Sequence, residues 1–194
     1  RRWRGEACAR ASPAPAAASQ ARRRVRLMAA ALALTPAYVG LGSNLDDPAA
    51  QLRRALDALS TLPHTRLVAR SALYHNPPMG PQDQPDFVNA VAGLLTALSA
   101  PELLAQLRLL EDAQGRRRDG PQWGPRTLDL DLLLYGGLRH ASEGLTLPHP
   151  GLAERPFVLR PLCEIAPGLR LPDGRSVAAL AAAAGGGGLV RLEA

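Results

Sequence analysis

Two aspartates separated by one residue, Asp129 and Asp131, have the spacing in this sequence that most directly suggests chemistry. They lie in an apolar run, residues 128–135, that is typical of a buried strand, where residues two apart share a face at about 6.5–7 Å from each other. Two adjacent carboxylates repel, and a hard divalent cation such as Mg²⁺ keeps both ionised. The alternative interpretation is the solvated face of an amphipathic strand.

Arginines precede this pair closely. Arg116, Arg117 and Arg118 follow Gly115, and Arg126 lies just before the first aspartate. Carboxylates that hold a metal, combined with arginines that bind oxyanions, are typical of a phosphoryl-transfer site, where positioning and charge neutralisation do most of the catalysis. An arginine run alone would indicate only a solvated loop.

Three weaker features accompany the acidic pair. Residues 40–44, Gly-Leu-Gly-Ser-Asn, are predicted to form a turn between a strand and a helix, either a phosphate-binding turn or a purely structural one. The proline-rich loop and strand start at residues 76–89 suit a flat heterocycle, with Phe87 stacking and Asn89 hydrogen bonding to ring nitrogens, although its composition also fits a surface loop. His149 is a candidate phosphate donor or a structural histidine.

The elements that must position these residues follow the order βαββαβ. Strands are predicted at residues 37–42, 65–74, 87–95 and 128–135. One helix is predicted to begin after the Asp47 cap, and a second at the capping box of Ser99 and Glu102. The order indicates an α+β, ferredoxin-like fold, a mostly antiparallel sheet with helices on one face. Helices near 157–165 and 177–184 are predicted to pack on it as a C-terminal extension.

The composition favours a single folded domain: 194 residues, 46% hydrophobic and 21% charged. The net charge of +6 is concentrated in residues 1–27, which hold eight arginines and one glutamate, so that the rest of the chain is nearly neutral. This distribution argues against a nucleic-acid partner for the folded part. We expect a low-complexity leader over residues 1–36, a catalytic domain over 37–184 and a tail over 185–194.

The leader has three interpretations. Met28 has the context of an ordinary translation start, which would make residues 1–27 over-extended sequence; a targeting segment and a nucleic-acid-binding arm are the alternatives. The only cysteines, Cys8 and Cys163, indicate a reducing compartment and a cytoplasmic location. Because no run reaches the ~18–20 apolar residues of a membrane span, we expect no membrane partner.

An RNA-binding module is the main alternative of another class, because it shares the βαββαβ order. Such a module needs exposed aromatic residues on its central strands, and only 4% of this chain is aromatic. A metal-dependent transferase that acts on some other alcohol is the second alternative, because the aspartate pair alone would permit it.

Five motifs in order resemble the 6-hydroxymethyl-7,8-dihydropterin pyrophosphokinase family. They are Gly-Leu-Gly-Ser-Asn-Leu at 40–45, Pro-Pro-Met-Gly-Pro-Gln-Asp-Gln-Pro-Asp-Phe-Val-Asn at 77–89, residues 111–118, residues 123–131, and Leu-Pro-His at 147–149. The resemblance implies an ATP-dependent diphosphotransferase of folate biosynthesis. This enzyme moves pyrophosphate from ATP to the pterin alcohol and releases AMP.

The resemblance also implies the residues of the site. Two Mg²⁺ ions are expected on Asp129 and Asp131, the pterin between Phe87 and Phe157, and ATP and the pterin as the only partners of a monomer. The catalytic residues implied are Arg116, Arg118 and Arg126. The ATP-binding residues implied are Glu111, Arg116, Trp123, Arg126, Leu132, Thr146, His149 and Arg155. The pterin-binding residues implied are Gly42, Asn76, Pro77, Pro78, Met79, Phe87, Asn89, Trp123 and Phe157.

Overall fold

An antiparallel sheet organises the fold in the computed structural model, which describes residues 34–117, 124–186 and 188–193. The six strands of the sheet are β1 (Thr35–Ser43), β2 (Thr65–Arg70), β3 (Tyr74–Asn76), β4 (Phe87–Thr96), β5 (Asp129–Tyr135) and β8 (Val190–Arg191). The strand order is β5-β1-β4-β3-β8. The strand β2 also pairs with β4, along residues 92–96, whereas β3 pairs with residues 87–89. A separate hairpin joins β6 (His140–Ser142) to β7 (Leu145–Leu147).

Two helices cover one face of the sheet. They are α1 (Pro48–Ser60) and α2 (Ala100–Ala113). Their leucine stripes pack on the alternate residues of β1, β4 and β5 that point to this face, in one buried cluster that includes Val39, Ala92 and Leu132. The predicted βαββαβ order and ferredoxin-like architecture are confirmed.

The C-terminal extension covers the opposite face. Its helices are α3 (Pro156–Ile165) and α4 (Val177–Ala183). They pack in a second buried cluster with Val91 and Leu133, which neighbour residues of the first cluster in sequence and so point the other way. The sheet is therefore covered by helices on both faces. A site on its second face requires a gap between the sheet and the C-terminal helices.

The predicted helix starts are confirmed. Asp47 accepts a hydrogen bond from the Ala50 backbone N–H at 3.1 Å and precedes Pro48 in α1. Ser99 donates its backbone N–H to the Glu102 carboxylate at 2.7 Å, which completes one half of the capping box of α2.

The strands differ from the predicted ones in three places. The strand predicted over 65–74 is divided into β2 and β3, because the Ser71 hydroxyl accepts a hydrogen bond from the Val91 N–H at 2.9 Å and takes the place of a ladder partner. The strand predicted over 37–42 extends by one residue into the predicted turn at 40–44, since β1 continues to Ser43, which pairs with Val88 of β4. The tail at 185–194 contains β8, which pairs with β3.

The leader expected at 1–36 overlaps the sheet by two residues, because β1 begins at Thr35. Residues 1–33, and with them Met28 and Cys8, lie outside the described residues, and so do Arg118 and Trp123. Cys163 is a half-buried free thiol. Across the described ranges, the structure contains no helix that is both long and apolar enough to cross a membrane.

The Asp47 cap gives a prediction for stability. Replacing Asp47 by alanine should lower the free energy of unfolding by about 1–2 kcal/mol, because the Ala50 N–H loses its acceptor. Alanine is also poorly suited to the left-handed backbone here, φ 58°. Urea denaturation measures the loss. Asp47→Asn is the matched control, since it keeps an acceptor and tolerates this backbone; equal losses in the two variants would contradict the capping role.

Candidate active site

Three neighbouring strands form the floor of the candidate site. In the register of the sheet, Gly42 of β1 lies between Asn89 of β4 and Asp129 of β5, and Gly40 lies opposite Asp131. A Cβ on Gly42 would come within 3.0 Å of the Asn89 side-chain oxygen. These glycines therefore leave the backbone uncovered between the acidic pair and the asparagine. Glycine within a strand often marks a site where a ligand approaches the backbone closely.

The first aspartate is held by two arginines. Asp129 Oδ2 accepts from Arg126 Nη1 at 2.7 Å, and its Oδ1 accepts from Arg116 Nη2 at 3.2 Å. Both arginine side chains are largely shielded from solvent, with 15% and 17% of their surface exposed. The expected proximity of these arginines to the acidic pair is thus present in the structure. Because guanidinium groups bind carboxylates and phosphates with the same geometry, Arg116 and Arg126 can change partner from one to the other.

The second aspartate faces His149. Burial, and then repulsion from Asp129, raise the pKa of the Asp131 carboxyl above its ordinary value, while the charge of His149 lowers it. His149 Nε2 lies 3.7 Å from Asp131 Oδ2. Burial lowers the pKa of the His149 imidazole, against the attraction of Asp131, which raises it. The Gly151 backbone N–H donates to His149 Nδ1 at 3.1 Å, so the neutral imidazole carries its proton on Nε2, toward the aspartate.

Two adjoining cavities meet at the acidic pair, and Arg126, Asp129 and Asp131 line both. One cavity, of about 100 Å³, is mostly apolar, and the other, of about 560 Å³, is mostly polar. Of the residues predicted for the pterin, the first cavity is lined by Gly42, Asn76, Met79, Phe87, Asn89 and Phe157. Of the residues predicted for ATP, the second is lined by Glu111, Arg116, Arg126, Leu132, Thr146 and His149.

The apolar cavity has an aromatic ring on each of two walls, Phe87 from β4 and Phe157 from α3. An arginine lies over each ring: the guanidinium of Arg126 is 5.7 Å from the centre of Phe87, and that of Arg155 is 6.0 Å from the centre of Phe157. The buried Asn89 amide donates to the Asn76 side-chain oxygen at 2.6 Å. The walls therefore combine flat apolar surfaces with amide groups.

Several predicted residues do not line the cavity expected for them. Arg155, predicted for ATP, lines the apolar cavity. Pro77 and Pro78 line neither cavity. Glu111 does line the polar cavity, but its side chain is buried and accepts from the Leu130 N–H at 2.8 Å, so that it also supports β5.

Sequence reasoning assigned no role to Gly151, and it treated Asn44 only as part of the predicted turn at 40–44. A Cβ on Gly151 would collide with the Arg155 guanidinium, so the absence of a side chain leaves the space that this group occupies. Asn44 bonds to Arg126 and to the loop between β3 and β4. The Gly-Leu-Gly-Ser-Asn-Leu motif is the only sequence feature that includes Asn44, and no pattern near it in the sequence predicts its hydrogen-bond partners.

The donor set fits a magnesium site that is completed by substrate. Within the described ranges, no cluster of three or more His, Cys, Asp and Glu side chains could hold a metal by itself. Mg²⁺ in phosphate-transferring sites is commonly bound by one or two carboxylates, with phosphate oxygens and water as the other ligands. Asp129 and Asp131, at the junction of both cavities, provide two such carboxylates.

Comparisons with known proteins agree with these features. A family model described as 7,8-dihydro-6-hydroxymethylpterin-pyrophosphokinase matches residues 38–167. A 2-amino-4-hydroxy-6-hydroxymethyldihydropteridine pyrophosphokinase of Pseudomonas aeruginosa is 53% identical over 155 residues, 80% of this chain and 95% of that protein. The Haemophilus influenzae protein of the same name is 51% identical over 144 residues, 74% of this chain and 89% of its own.

Solved structures share the fold. The wild-type HPPK-DHPS of Plasmodium falciparum matches with a TM-score of 0.60 at 12% identity, and a triple mutant of it with pteroate matches with 0.66 at 11%. The matches cover 77% and 83% of this chain but only 44% and 47% of the Plasmodium chains. This chain therefore spans less than half the length of those proteins.

The raised pKa of Asp131 predicts how stability changes with pH in metal-free protein. A carboxyl whose pKa is higher in the folded than in the unfolded chain favours folding while it is protonated, and this contribution is lost as pH rises through the folded pKa. Asp131→Asn cannot ionise. Its free energy of unfolding, relative to that of the unsubstituted protein, should therefore increase between about pH 4 and pH 7.

Urea denaturation in EDTA at the two pH values measures this difference. Asp57→Asn, on the exposed surface of α1, controls for the loss of one carboxylate. If the free energy of unfolding of Asp131→Asn, relative to that of the unsubstituted protein, stays constant or falls over this range, ionisation of Asp131 does not destabilise the folded protein.

Proposed function

Because this chain belongs to the 7,8-dihydro-6-hydroxymethylpterin-pyrophosphokinase family, we propose that its two adjoining cavities are the pterin and ATP sites of one reaction. The enzyme is an ATP-dependent diphosphotransferase of folate biosynthesis. It transfers pyrophosphate from ATP to 6-hydroxymethyl-7,8-dihydropterin, giving AMP and the pterin diphosphate. The observation that carries the assignment of the cavities is that Asp129 and Asp131 line both of them.

The smaller cavity binds the pterin. Phe87 and Phe157 enclose the flat ring, and the Asn89 and Asn76 amides, already aligned by their mutual hydrogen bond, meet its polar edge. Gly42 leaves room for the ring because a side chain there would reach Asn89. This arrangement directs the hydroxymethyl group toward the aspartates. The backbone of residues 76–79 and Trp123 remain proposed contacts.

The larger cavity binds ATP. Arg116 and Arg126 exchange Asp129 for phosphate oxygens when the nucleotide enters, and His149 donates from Nε2 to the triphosphate. Arg155, at the wall of the pterin cavity, contacts the phosphate that is being transferred. Glu111, Leu132 and Thr146 line the nucleotide side. Arg118 and Trp123 are also proposed to contact ATP.

Asp129 and Asp131 are proposed to hold two Mg²⁺ ions, which the donor set of the site supports. When bound, Mg²⁺ supplies positive charge to the triphosphate oxygens. The pterin hydroxyl attacks the β-phosphorus, its proton passes to solvent, and the bond to the α-phosphate breaks to release AMP. The proposed roles of Arg116, Arg118 and Arg126 are to orient the phosphates and to stabilise the charge that develops there, so no covalent enzyme intermediate is needed.

The proposal extends to the state of the protein in the cell. Action as a monomer is part of this proposal. The use of ATP and the small number of cysteines support a cytoplasmic location.

Product analysis tests the reaction. The full chain with Mg²⁺, 6-hydroxymethyl-7,8-dihydropterin and ATP labelled at both the β- and γ-phosphates should form AMP, with both labels in the pterin product. ADP and a single transferred label would indicate an ordinary kinase. Neither product would indicate a binding module.

Arg126 provides a test of the site. Arg126→Ala should lower kcat/KM by about 100-fold or more, the loss that follows removal of one preorganised donor to a developing oxyanion. Arg126→Lys should recover only part of it, because an ammonium group cannot replace the planar fork. Arg66→Ala, on the exposed side of β2, is the control. Steady-state kinetics with both substrates provide the measurement, and an unchanged kcat/KM in Arg126→Ala would remove Arg126 from the mechanism.

A further inference from the structure

Asn44 lies directly after β1, and its side chain, in a residue only 2% exposed, bonds to two separate segments. Its Nδ2 donates to the Pro85 carbonyl at 3.0 Å and to Gln84 Oε1 at 3.1 Å. Its Oδ1 accepts from the Arg126 backbone N–H at 2.8 Å. The backbone adds a fourth bond, from the Asn44 N–H to the Arg126 carbonyl at 3.1 Å.

The two segments border different parts of the site. Gln84 and Pro85 belong to the loop between β3 and β4, which carries Met79 and Gly80 of the smaller cavity. Arg126 lines both cavities and bonds to Asp129. One buried amide thus sets the distance between the loop beside the pterin cavity and the arginine at the phosphates. Asn44 itself lines neither cavity.

We propose that Asn44 is a positioning residue, which fixes the loop at 77–86 relative to Arg126 without contacting either substrate. This proposal rests on the proposed function of the two cavities. The Nδ2 group controls the loop and therefore the affinity for the pterin. The Oδ1 group controls the backbone of Arg126 and therefore the transfer step.

The chemistry of the amide allows these two roles to be separated. Asn44→Asp keeps an oxygen that accepts from the Arg126 N–H, but it replaces the donor that meets Gln84 and Pro85 with a second acceptor. Asn44→Ala removes both groups. Gln84→Ala removes one partner of Nδ2 and leaves the bond to Arg126 in place.

The experiment is a set of steady-state measurements on the full chain, with ATP and the pterin varied in turn. Asn44→Asp should raise the KM for the pterin about tenfold, with kcat within about twofold of the unsubstituted enzyme. Gln84→Ala should raise the same KM by a smaller factor. Asn44→Ala should raise the KM for the pterin and also lower kcat about tenfold.

Thr96→Val is the matched control for the loss of a buried hydrogen bond. Thr96 is fully buried at the opposite end of β4 from Phe87, and its hydroxyl lies 2.7 Å from that of Thr65. This variant should lose thermal stability and keep both kinetic constants.

Three results would overturn the proposal. One is unchanged kinetics in both Asn44 variants, and another is equal changes of kcat in Asn44→Asp and Asn44→Ala. The third is a KM for the pterin that rises in Thr96→Val as much as in Asn44→Asp. If Asn44→Ala does not fold, Asn44→Asp and Gln84→Ala still decide the role of Nδ2. Formation of AMP by the unsubstituted chain tests the proposed function separately.

Discussion

The charge balance around two adjacent carboxylates is the constraint on which the site depends. Asp129 and Asp131 share one face of β5, and burial, followed by repulsion from Asp129, raises the pKa of Asp131. Arg116 and Arg126 offset the charge of Asp129 through direct hydrogen bonds. These partners are cationic groups that phosphates also bind, so the interactions that stabilise the site without ligand are the ones a triphosphate and a metal can replace.

The sheet and the C-terminal extension contribute different surfaces to the site. The βαββαβ core supplies the floor, where Gly42 separates Asn89 from Asp129. The extension supplies Phe157 and Arg155, at the start of α3, as the facing wall. The smaller cavity lies between these two surfaces and is lined by Gly40 and Gly42 on one side and by Phe157 and Arg155 on the other. The extension is part of the site as well as a cover for the second face of the sheet.

Features that depend on near neighbours in sequence could be predicted, whereas features that depend on distant pairing could not. Helix caps and leucine stripes correctly located α1 and α2, and the aspartate spacing correctly placed both carboxylates on one strand face. The prediction ended the first strand at Gly42 and began a turn there, but pairing with Val88 of β4 keeps Ser43 in the strand as well. Asn44 bonds to residues 40 and 82 positions away, and no local pattern reveals such partners.

In the turn before α3, Gly151 positions two neighbouring functional side chains, His149 and Arg155. The Gly151 N–H occupies His149 Nδ1, which leaves Nε2 to carry the proton toward Asp131 in the neutral ring. The open side of the same glycine accommodates the Arg155 guanidinium, which a Cβ would displace. The orientation of the imidazole and the space for the guanidinium therefore depend on one position. The charges of His149 and Arg155 act on Asp131, whereas Arg116 and Arg126 bond to Asp129, so each aspartate has its own cationic neighbours.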